Sequence, residues 1–514
     1  MTSAVREAGA APAPAGPPGL HVPSLVIALF GALGSLMLTL NLWLPVDGAH
    51  MGSRLYDLYF AALTEGRLDL PLRELRLEGH YAPDGTGYLY HGLGPVLTRL
   101  PFAPFVAFPT GWIAALSIWL WSMAGNICCH RAFGLAIAAA PIEGEPKRSA
   151  ARTLAALLVW LSGPAWILTA NGSFFDEPIA MAYAMGSGIV WLLARCAFAG
   201  ADIARALIPL ALLAGLTLHA RPHLAVGYYA GICIIAGLVA WRGAGLERLR
   251  AGLALAMLGL FGALLLATNA LRFQDAAVMH GSFDGGEVQY GWVYLGGETA
   301  DSDRARGFSS YGQFNARRLL PSAMIYGLMV PPIGPGKQLR EGLEQVFRAS
   351  DPAARLMRIE EPEIGTLLLW PVMMLLMVLG LGQRALWRMP QAAGMLAVAT
   401  GSALLLSYAT ITMRYHVDLW PLLMLPALFG VAPLARFMAG PPRRPRAAAR
   451  IMLMAAALLG VSMTLLAAGG HRNNFIEDSG VWTREFCMKL IAGKDMSQAR
   501  REEVCAVSYE PAMR

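Results

Sequence analysis

The chain has 514 residues, 56% of them hydrophobic and only 15% charged, with a mean hydropathy of +0.48 and a net charge of +7. An ordinary soluble domain carries about 25% charged residues, and here the apolar residues come in blocks near the length that crosses a bilayer. A soluble enzyme, a disordered chain and a nucleic-acid module are excluded, which leaves an all-α integral membrane protein.

Residues 1–22 are rich in Ala, Pro and Gly and contain one Arg, and they read as a disordered cytoplasmic tail rather than a cleavable signal peptide. Eleven candidate spans follow, at 23–44, 106–128, 153–170, 178–197, 203–219, 223–241, 250–271, 364–383, 390–411, 417–437 and 451–469. Each is near the ~20 residues that cross a ~30 Å hydrocarbon layer. Spans one to seven occupy 23–271 and enclose a first outer loop at 45–101. A large loop at 272–363, spans eight to eleven at 364–469 and a tail at 470–514 complete the chain.

With the N-terminus placed in the cytoplasm, the loops on that side carry sixteen Lys and Arg residues, and the short loops on the other side carry only Arg221 and Arg414. That asymmetry puts the N-terminus inside and the C-terminus outside, and it accounts for the positive charge without an anionic partner such as nucleic acid. Cys128, Cys129, Cys196 and Cys233 lie in spans or at their inner ends. Cys487 and Cys505 lie 18 residues apart on the outer tail, where an oxidising compartment permits a disulfide; the alternative is two unpaired thiols.

No internal repeat stands out, and no span carries a charge at its middle, which disfavours an inverted-repeat transporter or a proton relay. The polar chemistry gathers at the outer span ends. In the first loop, residues 51–66 place Leu55, Leu58, Tyr59, Ala62 and Leu63 on one helical face and Arg54 and Asp57 on another. This predicts an interfacial helix with Asp57 facing a cavity or water. Glu78, His80, Asp84, Tyr88, Tyr90 and His91 follow at a density that a solvated loop does not need. A site that deprotonates an acceptor hydroxyl does need a carboxylate or histidine within reach. The alternative is that Asp57 pairs with Arg54 and the histidines only sit at the interface.

Asp176 and Glu177, in the loop before the fourth span, could bind a hydroxylated substrate or, as paired oxygen ligands, a divalent cation. They could equally stabilise the N-terminus of that span, which Pro178 helps to start. Arg221, in His219-Ala-Arg-Pro-His223, and Arg414, in Arg414-Tyr-His-Val-Asp418, stand at outer span ends against the charge bias. Arginine grips phosphate through a planar fork and keeps its charge in a low dielectric. The same reading takes in Arg272 and His416, with helix-end snorkelling as the alternative. The loop at 272–363 predicts helices near 312–328 and 338–349, and its apolar run 319–333 is too short and too Pro-rich to span.

Several of these stretches together resemble bacterial membrane glycosyltransferases of the type C fold. They are Gly66 to Pro71, Glu78 to Arg99, Asn269 to Phe273 and Arg414 to Pro421. The resemblance implies a bundle of about eleven helices in the bacterial inner membrane. It also implies inverting transfer of a hexose or pentose from a polyprenyl-phosphate donor to a saccharide or lipid acceptor in the envelope. A first-loop carboxylate would be the general base. Asp57 is preferred to Asp47, because a helix holds it more rigidly than the turn at 45–48. Glu78, His80, Asp84, His91, Asp176 and Glu177 would bind substrate, and Arg221, Arg272, Arg414 and His416 would bind the lipid phosphate. The competing readings are a transporter or flippase for a lipid-linked saccharide and a non-catalytic envelope-assembly protein.

Overall fold

The computed structural model describes residues 21–47, 50–90, 92–283, 286–296, 299, 301–360, 363–439, 444–476, 484–492 and 497–505. Residues 1–20 of the predicted N-terminal tail, and His91, lie outside them.

The protein is an all-α integral membrane protein. Among the described residues eight helices are long and apolar enough to cross a bilayer: Val22–Thr39, Trp112–Ala139, Glu145–Thr169, Asp176–Phe198, Pro222–Arg242, Leu246–Phe273, Met413–Met438 and Arg444–Arg472. Three shorter apolar helices, Ile203–Leu218, Pro371–Leu381 and Gln391–Leu406, stand where the sequence predicts the fifth, eighth and ninth spans. The second span differs most from expectation. Residues 106–111 form a loop, and the helix starts only at Trp112, after Gly111 at φ +82°, then runs 28 residues to Ala139.

The Asp176–Phe198 and Met413–Met438 helices form the centre, with 83% and 78% of their apolar windows buried. The first packs on Trp112–Ala139, and Pro371–Leu381 packs on the second. That last crossing depends on glycine. A Cβ at Gly380 would meet the Pro426 carbonyl at 1.8 Å, and one at Gly430 would meet the Leu376 carbonyl at 2.0 Å. Small residues let helix backbones approach this closely inside a membrane.

Above one end of the bundle lies a polar layer made by the two long loops, here called the loop face. Its second apolar cluster contains Leu55, Tyr56, Tyr59, Phe60, Leu72, Leu75 and Leu89, joined by Cys487, Ile491 and Cys505. Cys487 and Cys505 form a disulfide with Cα atoms 5.5 Å apart. A three-stranded sheet ties the loops together. His80–Tyr81 pairs antiparallel with Gly87–Tyr88 on one side and with Gln289–Tyr290 on the other. A parallel pair, Arg358–Ile359 with Thr410–Ile411, fastens the end of the large loop to the bundle. The large loop holds helices Asp303–Tyr311, Leu319–Leu328 and Gly336–Ser350. The helix predicted at 312–328 is shorter, starting at Leu319 after a 3₁₀ turn at Ala316–Arg318, and the Asp303–Tyr311 helix ahead of it, ended by Gly312 at φ +72°, was not predicted.

Candidate functional site

The Leu55–Thr64 helix does not expose Asp57. The carboxylate is fully buried, and both oxygens are occupied. Oδ1 accepts from Arg99 Nε at 2.9 Å. Oδ2 accepts from the Thr110 N–H, the Thr110 hydroxyl and the Gly111 N–H at 2.8–2.9 Å. The predicted outlook onto a cavity or water is therefore corrected, and the partner is Arg99 rather than Arg54. Apolar positions in a ten-residue helix did not reveal that a second layer would close over its polar side.

Arg99 also donates to both Glu177 oxygens, through Nη1 and, at 3.2 Å, through Nη2. Arg99 is held above its ordinary pKa: burial opposes its charge, and the Glu177 and Asp57 carboxylates outweigh that. Glu177 and its neighbour Asp176 turn to different partners. Asp176 accepts from the Ser173 hydroxyl at 2.7 Å and lies 3.2 Å from His471 Nε2. The two carboxylates are thus not assembled as paired ligands for a divalent cation. Among the described residues no group of three or more His, Cys, Asp or Glu could hold a metal ion.

Next to Asp176 the first loop is tied to the end of the last helix. Arg472 donates to the Leu44 carbonyl, to the Ala170 carbonyl at 3.1 Å and to Asn41 Oδ1 at 2.5 Å. The Asn41 side chain in turn brackets Val46 through its N–H and its carbonyl. His50 Nε2 lies 3.1 Å from the Arg472 carbonyl, and the Met51 N–H donates to Phe475. The turn carrying Asp47 is held between these anchors, and Asp47 itself stays exposed.

The two arginines that run against the charge bias come together. The Arg221 guanidinium lies 4.7 Å, and that of Arg414 5.5 Å, from the centre of the Tyr415 ring. Arg414 is also packed against Phe175 and Phe475, at 4.7 and 4.8 Å. Arg221 pairs with Asp418 at 2.5 Å, and Arg414 Nη2 lies 3.3 Å from Glu360. Burial lowers the Arg221 pKa and the Asp418 carboxylate more than restores it, leaving it above its ordinary value. For Glu360, burial favours the neutral acid, but Arg414, Arg358 and Arg304 hold the carboxyl below its usual range. Arg221 Nε, Arg414 Nη1 and Asp418 Oδ1 are buried with no hydrogen-bond partner among the described residues.

Buried polar atoms are nearly always paired, and at this end of the bundle two N–H donors from different segments have no such partner among the described residues. Tyr90, Tyr408 and Tyr415 stand within electrostatic reach of the same charges.

The other predicted residues take different places. Arg272 donates to the Leu89 carbonyl at 2.6 Å and to Asn269 Oδ1 at 2.7 Å, which fixes the first loop on the end of its own helix. His416 lies beside Glu363 at 3.6 Å, against the Tyr326 and Trp370 rings. His80 is buried among Tyr90, His280 and Tyr290. Glu78 accepts from the Tyr290 hydroxyl at 2.8 Å and from Trp292 Nε1 at 3.0 Å. Asp84 is an exposed turn residue that caps the Thr86 N–H. Sequence reasoning passed over Arg99, Glu360, His471 and Arg472. The run Glu360-Glu361-Pro362-Glu363 just ahead of an apolar block is the one signal that could have found Glu360.

No protein-family model matches the chain, and no curated protein matches it. Among solved structures it is similar to the apo form of the Archaeoglobus fulgidus oligosaccharyltransferase, with 12% identity, a TM-score of 0.49 and coverage of 95% of this chain and 60% of that one. The same enzyme tethered by a disulfide to an acceptor peptide gives 12%, 0.49, 95% and 59%. The oligosaccharyltransferase AglB of Archaeoglobus fulgidus, in complex with an inhibitory peptide and a dolichol-phosphate, gives 12%, 0.44, 87% and 55%. This chain thus spans about 60% of the length of the oligosaccharyltransferase it matches.

Proposed function

We propose that the chain is a membrane glycosyltransferase of the type C kind, which moves a sugar from a polyprenyl-phosphate donor to a saccharide or lipid acceptor at the loop face. The observation that carries this reading is the pair of guanidinium donors, Arg221 Nε and Arg414 Nη1, buried beside Tyr415 at the end of the bundle without a hydrogen-bond partner among the described residues. A phosphate at that depth has left water, so charge-assisted N–H donors are what can hold it there. As the sugar–phosphate bond breaks, the same donors offset the charge that grows on the leaving oxygen.

The acceptor hydroxyl must lose its proton as its oxygen bonds to the anomeric carbon, and the polyprenyl phosphate departs with the electron pair. Asp57 is closed off by four donors, so the role of base passes to Asp47, the exposed first-loop carboxylate. Its turn is anchored to Arg472, and the segment that follows is tied to Phe475, one wall of the Arg414 pocket.

The test is donor binding to the purified protein in nanodiscs, using a short-chain polyprenyl phosphate. Arg414→Lys keeps the charge but loses the fork, and affinity should fall by roughly 1–3 kcal/mol. Unchanged affinity in the Arg414→Ala protein overturns the assignment and leaves a snorkelling helix-end arginine.

A further inference from the structure

A second group of arginines stands on the loop face, in a cleft of about 610 Å³. Arg304, Arg348, Arg355 and Arg358 line it together with Trp292. Among the described lining residues Asp303 is the one carboxylate, and it is paired with Arg306. Arg348, Arg355 and Arg358 are exposed and Arg304 is half-buried, so the cleft carries a local surplus of positive charge that attracts anions.

Two of these arginines are held in place. Arg304 stacks over Phe283 and Tyr290, at 5.2 and 5.0 Å. Arg348 donates to the Arg355 and Met357 carbonyls at 3.1 and 3.5 Å. Trp292 is pinned by its bond to Glu78. The cleft also adjoins the arginine pair, because Glu360 lies 3.6 Å from Arg358 on one side and 3.3 Å from Arg414 on the other.

We infer that this cleft binds the acceptor, and that the acceptor is an anionic saccharide carrying carboxylate or phosphate groups. This rests on the glycosyltransferase reading above. The volume is that of a small-ligand site, several times what one phosphate needs. Guanidinium forks match both carboxylate and phosphate, and an indole offers a flat apolar face to a sugar ring. None of the lining residues belongs to an apolar helix, so the site suits a water-soluble chain better than the lipid end of a donor.

The experiment measures binding, without turnover, to the full-length protein in nanodiscs of zwitterionic lipid. The probes are tri-galacturonate, a phosphorylated trisaccharide, neutral maltotriose and a short-chain polyprenyl phosphate. At least one charged trisaccharide should bind in a salt-sensitive way, and maltotriose should not. Arg355 is exposed, so its replacement spares the fold. Arg355→Glu should weaken binding at least about tenfold, which is about 1.4 kcal/mol, and Arg355→Lys should retain most of it. The inference is overturned if neither charged trisaccharide binds, if maltotriose binds as well, or if Arg355→Glu changes nothing. Displacement by polyprenyl phosphate also overturns it, in favour of a donor headgroup site. Because no transfer is required, these outcomes are separate from failure of the glycosyltransferase reading, which would appear as absent turnover with cleft binding intact.

Discussion

Arg99 and the Arg221–Arg414 pair are all buried guanidiniums at the same end of the bundle, yet they use their hydrogens differently. Arg99 spends Nε on Asp57 and its two terminal nitrogens on Glu177 and the Pro95 carbonyl. Arg221 and Arg414 each keep a buried nitrogen without a partner among the described residues. Burial alone therefore separates nothing here. The saturated cluster looks inward and holds the first loop to the Asp176–Phe198 helix, whereas the unsaturated pair is the one we propose to hold the donor phosphate.

The comparison breaks most visibly at the two aspartates. Asp47→Asn should slow transfer by about 10²–10⁴-fold, the usual contribution of a positioned base, with thermal stability unchanged. Asp57→Asn should instead lower stability while the surviving folded protein still turns over. Equal rates in wild type and Asp47→Asn would return the role to another carboxylate.

Arg99→Met leaves Asp57 and Glu177 buried without their cation, and should cost about 3–5 kcal/mol of stability. A thermal shift no larger than that of Arg221→Met would remove the distinction between the two clusters.

The Cys487–Cys505 disulfide belongs to the same apolar cluster as Leu55, Tyr56 and Tyr59, on the helix that carries Asp57. Closing a loop of this size is worth about 3 kcal/mol, so Cys487→Ser should loosen the saturated side first. Hydrogen exchange should rise in 55–64 before it rises around 413–418.

His280 sharpens the other side. Burial lowers its pKa from 6.5 to about 4, a backbone bond to Gly281 opposes this, and Arg304 adds to the lowering. Folded His280 thus binds its proton more weakly than the unfolded chain does. The associated stability is complete above pH 6.5 and is lost as pH falls toward 4. The loss is at most about 3 kcal/mol and less in practice, since the ring is partly exposed. His280→Phe should flatten that part of the melting-temperature profile; an unchanged slope would count against it.

The sequence made the bundle readable because bilayer thickness sets the length of each apolar block. It also marked Arg221 and Arg414, since each is a cation where the loop composition disfavours one. It did not show how charges pair across the fold. Asp57 and Arg99 are 42 residues apart, and Arg99 and Glu177 are 78 apart. No local spacing records such a contact, so Asp57 looked like a polar residue on an amphipathic helix. Glu78 misled in the same way, its carboxylate being taken by Tyr290 and Trp292 from a loop more than 200 positions later. The anchors of the turn that carries Asp47, Arg472 and Phe475, lie at the far end of the chain and were equally invisible to local spacing.

The short His80–Tyr81 strand has a consequence for biogenesis. One partner, Gly87–Tyr88, leaves the ribosome moments later, but the other, Gln289–Tyr290, is some 200 residues downstream. In between, the chain must place its helices from Trp112–Ala139 to Leu246–Phe273. The first loop therefore waits as a half-built ribbon with one edge of His80–Tyr81 unpaired until the large loop arrives. Its apolar floor is completed later still, when Cys487 and Cys505 dock. The loop face is therefore completed only after the last apolar helix, Arg444–Arg472, has been made.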